Sequence, residues 1–179
     1  MEAIILAGGF GTRLAERLQG VPKPMAPIAG RPFLEILLNQ LLRAGCTRAL
    51  ISVSHLHAVI EDRFGTSFEG MRINYVIEAT PLGTGGAIRR SLGQASEDCV
   101  LVLNGDTFLD ADYPAMMRFH AAEGAAITMA ISHQENVARY GAVVVRDGLV
   151  IGFAEKRTPG AGPSPGWINA GAYVLNRNL

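Results

Sequence analysis

The sequence predicts an α/β protein, a three-layer α/β/α sandwich on a mixed, mainly parallel sheet. Three observations carry this. Apolar runs alternate with helically spaced segments through the first half of the chain, the pattern of βαβ units. Those runs are continuously apolar rather than alternating, as in strands covered on both faces. Glycine and proline clusters fall where the runs end.

Taken in order, Glu2-Ala-Ile-Ile-Leu-Ala7 reads as a buried strand meeting glycines. Residues 8–30 are a loop, because Pro22, Pro24 and Pro27 forbid a regular helix. Pro32 to Ala44 is a helix, begun by proline and stopped by Gly45. Strands follow at 48–53 and 72–77, with a short helix at 56–64 between them. Residues 84–92 are a helix opening on Gly85 and Gly86, and 99–103 a fourth buried strand. The remainder reads as helix 113–122, strand 126–131, a hairpin of 142–146 with 149–154 about Asp147-Gly148, a Pro/Gly loop at 157–166 and a last strand at 168–175. No linker or repeat divides the chain, so residues 1–179 are expected to form a single domain.

Composition narrows the function. The 179 residues carry 16 basic and 16 acidic side chains, without the basic excess of nucleic-acid binding by broad charge neutralisation. No apolar run has the length of a membrane helix, and the first residues lack a basic signal region. Cys46 and Cys99 stand far apart in apolar contexts, as reduced thiols of a cytoplasmic protein. No nucleic acid or membrane partner is expected.

Three segments carry chemistry. In Leu6-Ala7-Gly8-Gly9-Phe10-Gly11-Thr12-Arg13, a strand ends in glycines whose N–H groups can meet an anion without Cβ interference. Arg13 can fork onto phosphate oxygens, and Lys23 in Pro22-Lys23-Pro24-Met25 is a mobile point charge. A Walker A ending is absent, and Leu14 stands where a Rossmann fingerprint needs its third glycine. In Glu78-Ala-Thr-Pro81-Leu-Gly83-Thr84-Gly85-Gly86-Ala87, small residues open a helix and let a flat base approach. The Glu78 carboxylate suits guanine N1–H and N2–H₂, and can also take uracil N3–H. In Val100-Leu-Val-Leu-Asn104-Gly105-Asp106-Thr107, an acid follows a buried strand, at the sheet edge where α/β proteins bind ligands. One carboxylate with phosphate oxygens is a common way to hold Mg²⁺. Asp110 and Asp112 read as helix-capping or surface acids. Ser52 and Ser54 lack the elbow of a hydrolase nucleophile.

These motifs together resemble the sugar-phosphate nucleotidylyltransferases, over essentially the whole chain. The resemblance implies the Rossmann-like fold of the nucleotide-diphospho-sugar transferases. It implies a nucleotide site of Leu6, Ala7, Gly8, Gly9, Gly11, Thr12, Arg13, Lys23, Glu78, Gly83, Thr84 and Asn104. Arg13, Lys23 and Asp106 match the catalytic positions, with Asp106 as the Mg²⁺ ligand. Gly141, Glu155, Lys156 and Asn169 match the sugar-phosphate side. Lys23 and Lys156 are also the only lysines among the 16 basic residues. The Pro81-Leu-Gly83-Thr84-Gly85-Gly86 form is most similar to the heptose 1-phosphate guanylyltransferases, which implies GTP, a manno-heptose 1-phosphate and Mg²⁺, with self-association left open. The alternatives are a uridylyl- or thymidylyltransferase for another sugar 1-phosphate, or an inactive nucleotide-sugar-binding regulator. Relatives of this kind run on past the last strand and carry a second metal-binding aspartate there, so a further C-terminal segment is expected.

Overall fold

The computed structural model describes residues 1–9, 21–54, 56–80, 82–137, 141–154 and 164–179. Two compact units are described: Met1–Thr128 with Tyr173–Leu179, and Met129–Ala172.

In the first unit, β1 (Glu2–Leu6), β4 (Arg48–Val53), β6 (Met71–Ile77) and β7 (Cys99–Asn104) are parallel neighbours in the order β7–β1–β4–β6. The short strand β5 (Ser67–Phe68) closes one side antiparallel to β6. Two-residue strands β2 (Pro27–Ile28) and β3 (Arg31–Pro32) form a separate small hairpin.

Both faces of the parallel sheet are buried. One face presents Ile4, Leu50, Val76 and Val102, packed with Leu92 and Ile88 of helix α3 (Gly83–Leu92). The other presents Ala3, Ile5, Ile51, Ile73 and Leu101, all at most 1% exposed. Helix α1 (Phe33–Arg43) buries Leu34, Leu37, Leu38 and Leu41, and α2 (His57–Phe64) buries Ile60 and Phe64. Helix α4 (Tyr113–Glu123) starts at Asp112, whose carboxylate accepts from Ala115 N at 2.8 Å, the capping role its sequence position predicts. The predicted α/β/α layering is therefore present.

The chain steps outward through β1, β4 and β6, then returns on the other side of β1 to form β7. That reversal opens a crevice beside the carboxyl ends of β1 and β7. At the opposite edge, buried Glu2 pairs with Arg48 at 2.6 Å and accepts from Ser96 N and Glu97 N at 2.8 and 3.0 Å. It pins the start of β1 to the loop before β7.

In the second unit, β9 (Ala142–Arg146) and β10 (Leu149–Ala154) form the predicted antiparallel hairpin about Asp147-Gly148. β11 (Gly166–Asn176) pairs with β9 and with β8 (Ile127–Gln134). His133 meets the Trp167 ring edge-on, with 5.1 Å between ring centres.

Candidate active site

Four parallel strands end together at the crevice. Ala7 N donates to Ser52 O at 2.8 Å, Glu78 N to Val53 O at 2.8 Å and Gly105 N to Leu6 O at 2.9 Å. These bonds continue the ladder one step past the strands, so Ala7, Glu78 and Gly105 are held in register. Between them lies a cavity of about 350 Å³. It is lined by Leu6–Gly9 on one side, Asn104–Asp106 on another, and Lys23, Pro24, Glu78, Gly83, Thr84 and Ala87.

The predicted nucleotide residues Leu6, Ala7, Gly8, Gly9, Lys23, Glu78, Gly83, Thr84 and Asn104 thus share one cavity with Asp106. Gly11, Thr12, Arg13, Glu155 and Lys156 lie outside the described residues. Gly141 and Asn169 belong to the second unit, where Asn169 Oδ1 accepts from Gly171 N at 2.9 Å.

Lys23 sits in a single 3₁₀ turn, Lys23–Met25, held by Met25 N to Pro22 O at 2.7 Å and by the burial of Pro24. The flanking prolines fix the turn's φ angles and leave the lysine stem free to reach across. Its ammonium is ion-paired with Asp106 Oδ2, and Thr107 Oγ1 donates to Asp106 Oδ1 at 3.2 Å. Both side chains remain a third or more exposed, at 33% and 41%, so incoming phosphate or metal can exchange with this pair.

In the same cavity, Glu78 is only 7% exposed. Its Oε1 accepts from Ser52 Oγ at 2.6 Å and its Oε2 from Leu82 N at 3.2 Å. Ser54 Oγ donates to Gly8 O at 2.5 Å. The two serines were unmarked by any motif. Their signal is a polar residue at alternate positions of an otherwise apolar buried strand, Leu50-Ile51-Ser52-Val53-Ser54. Gly83 has φ +67°, a left-handed turn at the start of α3 that favours glycine.

Among the described lining residues, one lysine faces two carboxylates. A phosphorylated ligand there would call for added positive charge. A single partly exposed carboxylate in an open cavity fits Mg²⁺, which takes one or two protein carboxylates and completes its shell with ligand oxygens and water. No cluster of three or more His, Cys, Asp or Glu side chains able to hold an ion occurs among the described residues, so a closed all-protein cage is not what Asp106 offers.

Strand order and cavity together place the chain among the open α/β proteins with a ligand-sized crevice at the carboxyl ends of their strands. Within that class the chain belongs to the nucleotidyl transferase family, whose model matches residues 2–179. The D-glycero-alpha-D-manno-heptose 1-phosphate guanylyltransferase of Aneurinibacillus thermoaerophilus is 41% identical over 179 residues, covering 100% of this chain and 76% of that protein. The enzyme of the same name from Campylobacter jejuni is 40% identical, covering 100% and 77%. The crystal structure of HddC from Yersinia pseudotuberculosis complexed with GMP-PN matches with a TM-score of 0.84 and 31% identity, over 99% of this chain and 77% of that one.

Proposed function

We propose that this protein transfers a guanylyl group from GTP to a manno-heptose 1-phosphate, giving GDP-heptose and pyrophosphate. The observation that carries this is one cavity that gathers Gly8, Gly9, Lys23 and Asp106 with Glu78, Gly83 and Thr84, a set suited to phosphates and to a base. The sugar phosphate oxygen attacks the α-phosphorus and pyrophosphate leaves, so the protein's contribution is positioning and charge. Lys23 leaves Asp106 to neutralise phosphate oxygens. Asp106 would hold Mg²⁺, which when bound supplies positive charge against the developing negative charge. Arg13 assists departure of pyrophosphate, Lys156 holds the sugar phosphate, and Gly141, Glu155 and Asn169 orient the sugar. Two free cysteines suit a reducing cytoplasm, and no described helix is long and apolar enough to cross a membrane.

The test is pyrophosphate release with Mg²⁺, each of four nucleoside triphosphates being paired with heptose- and mannose-type 1-phosphates. Release with GTP and the heptose substrate is expected. A preference for UTP or dTTP would replace the guanylyl reading. Nucleotide binding with no release from any pairing would leave a regulator instead of an enzyme.

A further inference from the structure

Ser52 lies where the core ends. Ile4, Leu50 and Val102 form one apolar row across the sheet. The parallel register pairs Leu6 with Ser52 and with Asn104, and Ser52 with Val76. Two residues along each strand the same face reappears, so the next row is Leu6, Ser52, Val76 and Asn104, with Glu78 two residues beyond Val76 on the same face. Leu6, Asn104 and Glu78 line the cavity. Ser52, at 0% exposed, lies behind them.

A hydroxyl in a dry sheet has to find a partner, and this one donates to Glu78 Oε1 at 2.6 Å. Leu82 N–H donates to Oε2 at 3.2 Å. The carboxylate is thereby held at both oxygens, one bond coming from the sheet and one from the loop that leads into α3. Each oxygen keeps a further acceptor site. Gly8 closes the remaining side, since a Cβ there would stand 3.0 Å from Glu78 Oε1. Glu78 lines the cavity, so the acceptor sites left to it are open to a donor there.

We infer that Ser52 is a positioning residue that sets base selectivity, by fixing the Glu78 carboxylate in the orientation that meets two adjacent N–H donors. This rests on the guanine reading above. A carboxylate that swings still attracts one donor, but it loses the paired geometry that separates guanine from bases with a single donor. Removing the hydroxyl should therefore cost GTP much more than UTP.

The experiment measures dissociation constants of GTP, ITP and UTP by calorimetry on the whole chain, without need of turnover. The proteins are the unmodified chain, Ser52→Ala, Glu78→Gln and the double variant. Ser52→Ala is expected to weaken GTP about tenfold, ITP less and UTP by under about twofold, the scale of one lost buried polar contact. In the Glu78→Gln background the serine change should have no further effect on the GTP-to-UTP ratio, because Ser52 acts through Glu78. Uniform weakening of all three nucleotides, or a serine effect on the ratio that persists without the glutamate, overturns the inference. If Ser52→Ala fails to fold, Ser52→Cys keeps the volume with a weaker donor, and its GTP-to-UTP ratio must fall on the same side. Equal GTP and UTP binding by the unmodified chain would overturn the guanine reading itself, an outcome distinct from a GTP preference that survives Ser52→Ala.

Discussion

Replacing Gly105 by alanine probes the join between sheet and site. A Cβ there would stand 2.6 Å from Leu6 O, 3.1 Å from Leu6 C and 3.2 Å from Ala7 Cα. An ordinary carbon–oxygen contact is about 3.3–3.6 Å, so backbone must move by roughly 0.7–1 Å. Neither side yields easily, since Leu6 O accepts from Gly105 N and Ala7 N donates to Ser52 O. Overpacking of this kind costs about 1–3 kcal/mol, or roughly 2–12 °C in Tm for a chain of this size. The displaced segments carry Asp106 on one side and the Gly8 loop on the other, so nucleotide geometry shifts with them. A misplacement near 1 Å costs on the order of 100-fold in rate. The assay pairs a thermal melt with pyrophosphate release. Gly85→Ala is the control, because its Cβ would meet nothing within 4 Å in helix α3, and it should hold or raise Tm. A Gly105→Ala protein with unchanged Tm and unchanged turnover would refute the reasoning.

Lys23→Ala should lower kcat/KM by about two to four orders of magnitude, the loss of one preorganised charge, with Tm little changed because the side chain is partly exposed and loses only a solvent-accessible ion pair; near-normal turnover would remove Lys23 from the reaction. Glu78→Gln should weaken GTP by about 1–3 kcal/mol in calorimetry and the other triphosphates far less. Glu2→Ala leaves Arg48 and the Ser96 and Glu97 amides without their carboxylate and should cost about 2–4 kcal/mol in a denaturant titration, with KM for GTP unchanged because the site lies at the other end of β1. Burial holds the Cys46 thiol up at about 12. A raised acid pKa keeps its proton in the fold while the unfolded thiol ionises from about 8.5 upward, so stability should fall as pH rises from there towards 12. Cys46→Ala should flatten that fall, and an equally steep loss would exclude the thiol as its source.

What was legible in the sequence is what depends on local order. Leu34, Leu37, Leu38 and Leu41 repeat with helical spacing, and α1 forms there. The runs read as strands at 2–7, 48–53, 72–77 and 99–103 became the parallel strands Glu2–Leu6, Arg48–Val53, Met71–Ile77 and Cys99–Asn104. Asp147-Gly148 turned as read, whereas the Ala29-Gly30 and Glu69-Gly70 turns make two more tight hairpins that were not anticipated. Strands β2, β3 and β5 are two residues long, too short to show a period of two. The gathering of Glu78, Gly83, Asn104 and Asp106 followed from their motifs, because each motif ends a strand or opens a helix at one sheet edge; Lys23 joins them from a loop turn.

The serines and Gly105 depend on register instead. Nothing within Leu50-Ile51-Ser52-Val53-Ser54 says which neighbour accepts from Ser52. That follows only once β4 lies between β1 and β6, with Ser52 beside Val76 and two residues short of Glu78's row position. Gly105 reads as a turn glycine in Asn104-Gly105-Asp106, yet its absent side chain matters because Leu6 O lies against it across the strand-order reversal. Chemistry that contacts the ligand is carried by residue types that stand out in a sequence. The residues that hold that chemistry in place are ordinary ones, and their importance appears only when distant segments are set side by side.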